Sequence, residues 1–179
     1  FLTLIPTRFH IFSRQLKEMR KLYLLRHAKS SYEDGLPDFE RRLAPRGIAD
    51  IKALSPHLFR ILPDDLTMYC SLAKRTQQTL QYYLDYADMK WTNVNYKNSL
   101  YTFNGRDLEK VIRSFKDDGN DALVVGHNEA LTEFVQKFDS NFTEHIPTSG
   151  FLELELDKDS WAEFTKVKVT LKLFPKDIR

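Results

Sequence analysis

The sequence predicts an α/β fold, a three-layer α/β/α sandwich whose mostly parallel sheet has an antiparallel edge. Up to about residue 138, short apolar runs alternate with longer segments whose apolar residues recur at helical spacing. The pattern then changes to period two over Phe151–Leu156 and residues 165–174, which indicates a C-terminal antiparallel hairpin. A chain of 179 residues, 42% of them hydrophobic, is long enough to bury one substantial core.

Four short apolar runs are predicted to be strands, because each is rich in branched or aromatic residues and too short for a helix. They lie at residues 22–25, 66–70, 94–101 and 122–125. In the second strand of the hairpin, one side is expected to be apolar and the other to carry lysines, as in a sheet with one face in water. The apolar side consists of Val167, Val169, Leu171 and Leu173.

Proline, serine and asparagine mark the predicted helix boundaries. Pro56 is expected to end or kink the first helix, and Ser55 to cap a further turn. Ser71 directly follows the second strand and is expected to cap the second helix. The third helix is predicted to begin at Asn104 or Asp107, since both side chains accept hydrogen bonds at a helix start.

Charge and cysteine content exclude several functional classes. The 27 basic residues nearly balance the 25 acidic ones, so no nucleic-acid or membrane partner is expected. Cys70 is the only cysteine, which excludes an intrachain disulfide and a thiolate metal cluster and predicts a cytoplasmic location. No apolar run approaches the roughly 20 residues of a membrane span. Residues 1–18 are predicted to be an extension outside the core, and residues 19–179 to form the domain.

Polar side chains follow three of the predicted strands at the point where each strand ends. Arg26 and His27 follow the first, Arg75 lies just beyond the second, and His127 follows the fourth. Since the carboxyl ends of neighbouring parallel strands meet at one edge of a sheet, these four side chains are expected to converge there. Two arginines and two histidines without an obvious carboxylate suit a phosphate-like anion, which arginine binds with two parallel hydrogen bonds.

This combination of residue types predicts phosphoryl transfer. A neutral histidine nitrogen can attack phosphorus and split the reaction into two easier steps. The neighbouring cations can stabilise the charge that develops on the transferring group. Nitrogen side chains are poor ligands for Mg²⁺, so no metal and no other cofactor is expected, and activity should persist in a chelator.

Three segments resemble the motifs of the histidine phosphatase superfamily. Residues 25–30, Leu-Arg-His-Ala-Lys-Ser, are similar to the Arg-His motif that opens the domain of that family. Residues 71–79 resemble its second arginine motif, and residues 125–128 its second histidine motif. Three further segments resemble the small SixA-type phosphohistidine phosphatases in particular: residues 43–47, 147–150 and 174–177.

The resemblance implies a role for each motif residue. His27 would be the nucleophile that becomes phosphorylated, while Arg26 and Arg75 would hold the phosphoryl group. His127 would complete the pocket and stabilise the transition state. Two residues close to the motif histidines are expected to bind substrate: Lys29 and Asn128.

The resemblance implies a phosphatase that acts through a phosphohistidine intermediate, with phosphohistidine in a protein as its substrate. Larger members of the superfamily carry an acid near the third strand, but residues 96–101 contain no carboxylate, and Ser99 stands at the aligned position. Imidazole is a better leaving group than an alkoxide, so the missing acid favours phosphohistidine over sugar phosphates. Three acids in the loop after His27 could still reach the pocket: Glu33, Asp34 and Asp38.

Two alternatives stay open at this point. An acid from that loop, together with a closed pocket, would favour a phosphomonoesterase that acts on a small phosphorylated metabolite. A non-catalytic phosphate-binding module would bind phosphate or vanadate but show no burst with an activated aryl phosphate. The remaining histidines match no motif and are expected to be surface or structural residues: His10, His57 and His145.

Overall fold

The computed structural model describes residues 19–32, 35–90, 92 and 94–178, so the predicted extension at residues 1–18 lies outside the described residues. The strands are β1 (Lys21–Arg26), β2 (Thr67–Ser71), β3 (Val94–Lys97), β4 (Ala122–Gly126), β5 (Phe151–Leu156) and β6 (Val167–Leu173). The α-helices are α1 (Pro45–Ile61), α2 (Lys74–Ala87), α3 (Gly105–Arg113) and α4 (Ala130–Phe138).

The strands form one mixed sheet in the order β3-β2-β4-β1-β5-β6. The first four strands of the chain run parallel, whereas β5 pairs antiparallel with β1 and β6 pairs antiparallel with β5. The predicted sheet with a hairpin at one edge is therefore confirmed. β3 is shorter than predicted: it ends at Lys97, and residues 98–100 form a 3₁₀ turn because the Tyr101 N–H bonds back to the Asn98 carbonyl.

Each face of the sheet carries its own hydrophobic core, with α1 and α2 on one face and α3 and α4 on the other. In β1, Leu22 and Leu24 belong to the core under α3 and α4, while Tyr23 and Leu25 belong to the core under α1 and α2. Because both faces are covered, this strand is a continuous apolar run in the sequence. Fully burying one such leucine contributes about 1.5–3 kcal/mol. The predicted three-layer sandwich is confirmed.

β6 contradicts the prediction that its apolar residues share one side. Its pairing with β5 shifts register at Glu153/Leu154, so that Thr170 is an extra residue in β6. An extra residue moves the side chains beyond it to the opposite face. Val169 accordingly packs against the α3–α4 core, whereas Leu171 packs against the α1–α2 core.

The prediction that Pro56 ends the first helix and that Ser55 caps a further turn is wrong. α1 continues through Pro56, and the Ser55 hydroxyl donates to the Ile51 carbonyl (2.8 Å) instead of capping a new turn. An interior proline costs roughly 3 kcal/mol locally. The buried Leu54 and Leu58 on either side hold the helix against the sheet and offset that cost.

The other two predicted caps have opposite outcomes. Ser71 does not cap α2, whose N-cap residue is Ala73 without a side-chain cap. Asn104 caps α3, and its side-chain oxygen accepts from the N–H groups of Arg106 and Asp107.

None of the helices in the described part of the chain combines the length and apolar content that a membrane crossing requires.

Arg20, directly before β1, joins two loops at the edge of the sheet where β1 begins. Its side chain is 3% exposed and donates to Asp117 (2.7 Å) and to Asp159 (3.0 Å). The guanidinium group also lies 4.9 Å from the ring centroid of buried Trp161. Since the two carboxylates are nearly half exposed, their ion pairs are partly screened, but the arginine itself is desolvated.

We expect Arg20→Ala to lower the free energy of unfolding by about 2–3 kcal/mol, because it removes two charge-assisted hydrogen bonds and the contact with Trp161. Urea unfolding measures this difference. Lys110→Ala is the control, since the Lys110–Asp107 pair is largely exposed and should contribute less than about 0.5 kcal/mol. Equal effects of the two substitutions would contradict a stabilising role for Arg20.

Candidate active site

The two predicted catalytic histidines lie side by side at the carboxyl edge of the sheet. β1 ends at Arg26, which is in register with Gly126 at the end of β4. His27 and His127 directly follow, and the His27 N–H donates to the Gly126 carbonyl (3.1 Å). The two ring centroids are 5.3 Å apart, and both side chains are buried. Pairing of neighbouring parallel strands therefore produces the predicted convergence.

Arg75 enters the same region from the first turn of α2 and is 2% exposed. One turn later, the Thr79 hydroxyl donates to the Arg75 carbonyl (2.7 Å) and accepts from the Ala28 N–H (2.9 Å). A single hydroxyl thus connects the helix that carries Arg75 to the backbone that follows His27.

His27 is held in the tautomer that a nucleophile needs. Its Nδ1 lies 2.8 Å from the Ala28 carbonyl oxygen. A carbonyl oxygen only accepts, so Nδ1 carries the ring proton and donates it. Nε2 of the neutral ring therefore has a free lone pair, which is the form that can attack phosphorus.

Ser71 orients His127. Its hydroxyl oxygen accepts from the Ala73 N–H (3.3 Å) and lies 2.8 Å from His127 Nε2. When the hydroxyl proton is donated to Nε2, the neutral ring carries its own proton on Nδ1. In this tautomer Nδ1, which is buried and has no hydrogen-bond partner among the described residues, can donate to a bound anion.

Burial keeps both histidine rings neutral. The pKa of His27 falls to about 3 and the pKa of His127 to about 2, chiefly because burial disfavours the charged ring. The positive charges of Arg75 and Arg26 lower both values further. His27 is therefore a competent nucleophile at neutral pH, without a base to remove a proton.

These two rings should make the fold sensitive to mild acid. The unfolded chain takes up a proton at each histidine below pH 6.5, whereas the folded chain does so only near pH 2–3. Between these limits the unfolded state binds more protons, so the free energy of unfolding falls as the pH falls, by up to about 1.4 kcal/mol per pH unit for each ring. Urea unfolding should give a value about 2–4 kcal/mol lower at pH 5 than at pH 7.

The control for this pH dependence is the double variant His27→Gln/His127→Gln, which should show less than half of the decline. Asp38 and Asp157, whose pKa values are lowered to about 2, lose their contribution at a more acidic pH and do not contribute in this window. An unchanged decline in the double variant would assign the acid sensitivity to other groups.

Arg26 and Asn128 are hydrogen-bonded to the same residue in the segment that precedes β5. Arg26 Nη1 and Asn128 Nδ2 both donate to the Ile146 carbonyl, at 2.6 and 3.0 Å. His145 Nε2 lies 3.3 Å from Arg26 Nη1 and 3.2 Å from Asn128 Nδ2. His145 is on the surface, as expected, but it also borders the pocket. Its position just before the motif at residues 147–150 is the signal that could have identified it.

Asp38 is the one described residue among the three acids in the loop after His27, and it reaches the pocket. The Asp38 carboxylate accepts from Arg75 Nη2 (2.9 Å) and from the Tyr101 hydroxyl (2.6 Å). Partial burial alone would raise the pKa of Asp38, but the hydrogen bonds from Tyr101 and Arg75 and the charge of Arg75 outweigh it and lower the pKa to about 2. The pocket therefore contains a carboxylate, which is ionised at neutral pH. Glu33 and Asp34 lie outside the described residues.

Unpartnered polar atoms identify where an anion can bind. Among the described residues, five buried side-chain atoms have no hydrogen-bond partner: Arg26 Nε, Arg75 Nε, His127 Nδ1, Asn128 Oδ1 and Ser149 Oγ. Three of them are donor nitrogens of the residues predicted to hold a phosphoryl group. Burying a donor without an acceptor costs about 1–3 kcal/mol, and oxygens of a bound phosphoryl group would remove that cost.

The two residues predicted to bind substrate, Asn128 and Lys29, differ in their contacts with the pocket. Asn128 belongs to the pocket and contacts Ile146, His145 and the Thr132 hydroxyl (2.8 Å). Lys29 is exposed, and the structure describes no hydrogen bond between its ammonium group and the pocket residues. Its role in substrate binding stays a prediction.

Aromatic rings border the histidines on the side of β3. The rings of Tyr101 and Phe103 each lie 5.3 Å from the ring of His127, centroid to centroid. Phe39 packs edge-on against Tyr101 at 5.0 Å. Phe103 is 47% exposed although it is a large apolar residue, so an apolar surface lies directly beside the donor nitrogens.

Comparison with known proteins agrees with this geometry. A family model described as the histidine phosphatase superfamily (branch 1) matches residues 22–111. An uncharacterized protein of Mycobacterium tuberculosis is 31% identical over an alignment of 149 positions that covers 78% of this chain and 90% of that protein. The chain therefore belongs to the histidine phosphatase superfamily.

Solved structures narrow the class to SixA-type phosphatases. A protein of Nakamurella multipartitia assigned as the phosphohistidine phosphatase SixA is 25% identical, with a TM-score of 0.72 over 87% of this chain and 96% of that one. A protein histidine phosphatase SixA in complex with tungstate has the same fold, with a TM-score of 0.72, 16% identity and coverage of 89% and 99%. The family model and the 25% identical structure support a phosphatase whose chemistry uses histidine.

Proposed function

We propose that this chain is a metal-independent phosphohistidine phosphatase, which removes phosphate from a histidine side chain of a protein through a covalent phosphate on His27. The observation that carries the proposal is the group of three unpartnered nitrogens on Arg26, Arg75 and His127. The His127 ring lies 5.3 Å from the ring of His27, whose Nε2 lone pair is free. The arginines hold the transferring group, and His127 stabilises the charge on its oxygens.

The reaction has two displacement steps. In the first, Nε2 of His27 forms a bond to phosphorus while the bond from phosphorus to the nitrogen of the substrate breaks, and the leaving imidazole takes a proton from solvent. In the second, water forms a bond to phosphorus while the bond from phosphorus to Nε2 of His27 breaks. The attacking water loses a proton to solvent, inorganic phosphate leaves, and His27 is again neutral.

The ionisation of Asp38 supports a substrate with a good leaving group. With a pKa of about 2, this carboxyl group holds no proton to deliver to a leaving oxygen at neutral pH. An alkyl phosphate needs such a donor, and general acid catalysis is typically worth about 10²–10⁴-fold. Imidazole leaving from phosphohistidine needs less help. The rings of Tyr101 and Phe103 also offer a surface on which a planar leaving group can pack.

Substrate selectivity tests the proposal. We expect kcat/KM for a protein phosphorylated on histidine to exceed that for a phosphoserine peptide and for a hexose phosphate by at least about 100-fold. The assays contain EDTA, because the proposal gives no role to a metal ion. His27→Asn serves as the blank in each assay.

Three other results would each contradict the proposal. Equal kcat/KM for the three substrates, with an acid limb in the pH profile, would favour a phosphomonoesterase for small metabolites that uses an acid of the loop. Activity that disappears in EDTA and returns with Mg²⁺ would exclude the metal-independent mechanism. Phosphate binding without turnover of any substrate would indicate a binding module.

A further inference from the structure

One edge of the Arg75 guanidinium group is held by a single residue. Arg75 Nη1 donates to the backbone carbonyl of Asp38 (2.5 Å), and Nη2 donates to the Asp38 carboxylate (2.9 Å). A guanidinium group has two edges that can bind an anion with paired hydrogen bonds, one made by the two terminal nitrogens and one made by Nε with Nη2. Asp38 takes the first edge.

The Asp38 carboxylate is itself held by two further donors. Its Oδ2 accepts from the Tyr101 hydroxyl (2.6 Å), and its Oδ1 accepts from Arg41 Nη1 (3.0 Å). Arg41 also donates to the Ser30 hydroxyl (2.7 Å) and to the Ser31 carbonyl (3.0 Å), a few residues beyond His27. Hydrogen bonds therefore hold the Asp38 carboxylate in place and connect it both to the residues that follow His27 and to Tyr101.

The second edge of Arg75 has a free donor. Its Nε is buried and has no hydrogen-bond partner among the described residues, like His127 Nδ1. Both Arg75 and His127 lie against the Tyr101 ring, at 5.9 and 5.3 Å from its centroid. We infer that Asp38 is a positioning residue that fixes Arg75 by one edge so that the other edge is presented to the phosphoryl group.

This inference rests on the proposed role of Arg75 in holding phosphate. It predicts that removal of Asp38 changes phosphate affinity in the direction opposite to that expected from the charge of Asp38 alone. A negative charge beside an anion site should weaken phosphate binding, so its removal should strengthen binding if Asp38 acted only through its charge or competed with phosphate for Arg75. If Asp38 positions Arg75, its removal frees the guanidinium group to turn, and phosphate should bind more weakly.

The experiment measures binding of inorganic phosphate by calorimetry and turnover of p-nitrophenyl phosphate by Asp38→Ala, Asp38→Asn and the control Glu40→Gln. Glu40 is an exposed acid in the 3₁₀ turn Asp38–Glu40, which also carries Asp38, so its removal changes the local charge without touching Arg75. We expect Asp38→Ala to weaken phosphate binding about tenfold and Asp38→Asn, which keeps an acceptor oxygen, about threefold. Glu40→Gln should change it by less than twofold.

A double-mutant cycle separates positioning from general support of the loop. In an Arg75→Ala background, Asp38→Ala should change phosphate affinity by less than twofold, because its effect passes through Arg75. An additive tenfold loss in that background, or tighter phosphate binding by Asp38→Ala, would overturn the inference. If Asp38→Ala does not fold, Asp38→Asn and Tyr101→Phe, which removes one donor to the carboxylate, carry the same test.

The failure of this inference is distinguishable from failure of the proposed function. Phosphate binding and aryl phosphate turnover do not depend on which phosphorylated molecule is the natural substrate. A wild-type protein that fails to prefer phosphohistidine, yet shows the expected Asp38 effects, would overturn the proposed substrate alone. Normal phosphohistidine selectivity with unchanged phosphate affinity in Asp38→Ala would overturn the positioning role alone.

Discussion

His27→Ala should abolish turnover, with a loss of at least about 10⁴-fold in kcat, while the fold survives. The substitution removes the nitrogen whose lone pair is proposed to attack phosphorus, and no other described histidine combines that tautomer with a ring 5.3 Å from the ring of His127. The side chain sits beyond the end of β1, so its loss should change the free energy of unfolding by only about 1 kcal/mol.

Trapping of the intermediate completes this test. Wild-type protein mixed with labelled p-nitrophenyl phosphate and quenched in alkali, where phosphohistidine survives, should carry the label on His27. His57→Ala is the matched control, since His57 lies in α1 and should leave turnover unchanged. Label on a serine, or substantial turnover by His27→Ala, would refute the covalent mechanism.

Arg75→Lys should lower kcat/KM by about 100-fold or more although the charge is retained. Arg75 donates to Asp38 with its terminal nitrogens, and its unpartnered Nε is the donor that we propose for the phosphoryl group. A lysine ammonium is a single point charge and cannot present two parallel hydrogen bonds to phosphate while it stays bonded to Asp38. Loss of one fixed donor to the transferring group typically costs about 10²–10³-fold.

Kinetics with p-nitrophenyl phosphate measure this effect. Arg46→Lys is the control, because Arg46 is exposed in the first turn of α1. Circular dichroism and urea unfolding establish that both variants are folded. A near-normal rate in Arg75→Lys would place this residue outside the site, in spite of its burial.

The parts of the site that the sequence predicts are those encoded by local patterns. Arg26, His27 and His127 each follow a short apolar strand, and strand ends in a parallel sheet meet at one edge. Their convergence therefore required only that the strands be neighbours. The alternation of strands and helices similarly predicted the three layers, since each pattern reflects local burial.

The parts that the sequence did not predict depend on contacts between distant residues. The hydrogen bond from Arg75 to Asp38 joins a helix to a loop whose sequence has no regular pattern. The sequence therefore did not indicate which of the three acids in that loop reaches the pocket. His145 reaches Arg26 only because the segment before β5 folds back over the strand ends. Thr170 has no feature that marks it as an extra residue, and only pairing with β5 shows that the side chains change face there.

Arg20 and its partners Asp117, Asp159 and Trp161 lie at one end of β1, and the catalytic pocket lies at the other end, roughly 20 Å away along the strand. Abundance and turnover are consequently separable properties of this protein. Altering Arg20 should change the fraction of molecules that are folded at a given temperature while each folded molecule keeps its rate, because effects at such distances are usually additive. Substitutions near Arg20 can change the amount of folded enzyme in a cell without changing the reaction at the pocket. Stabilising substitutions introduced there should leave the pocket free to acquire new substrates.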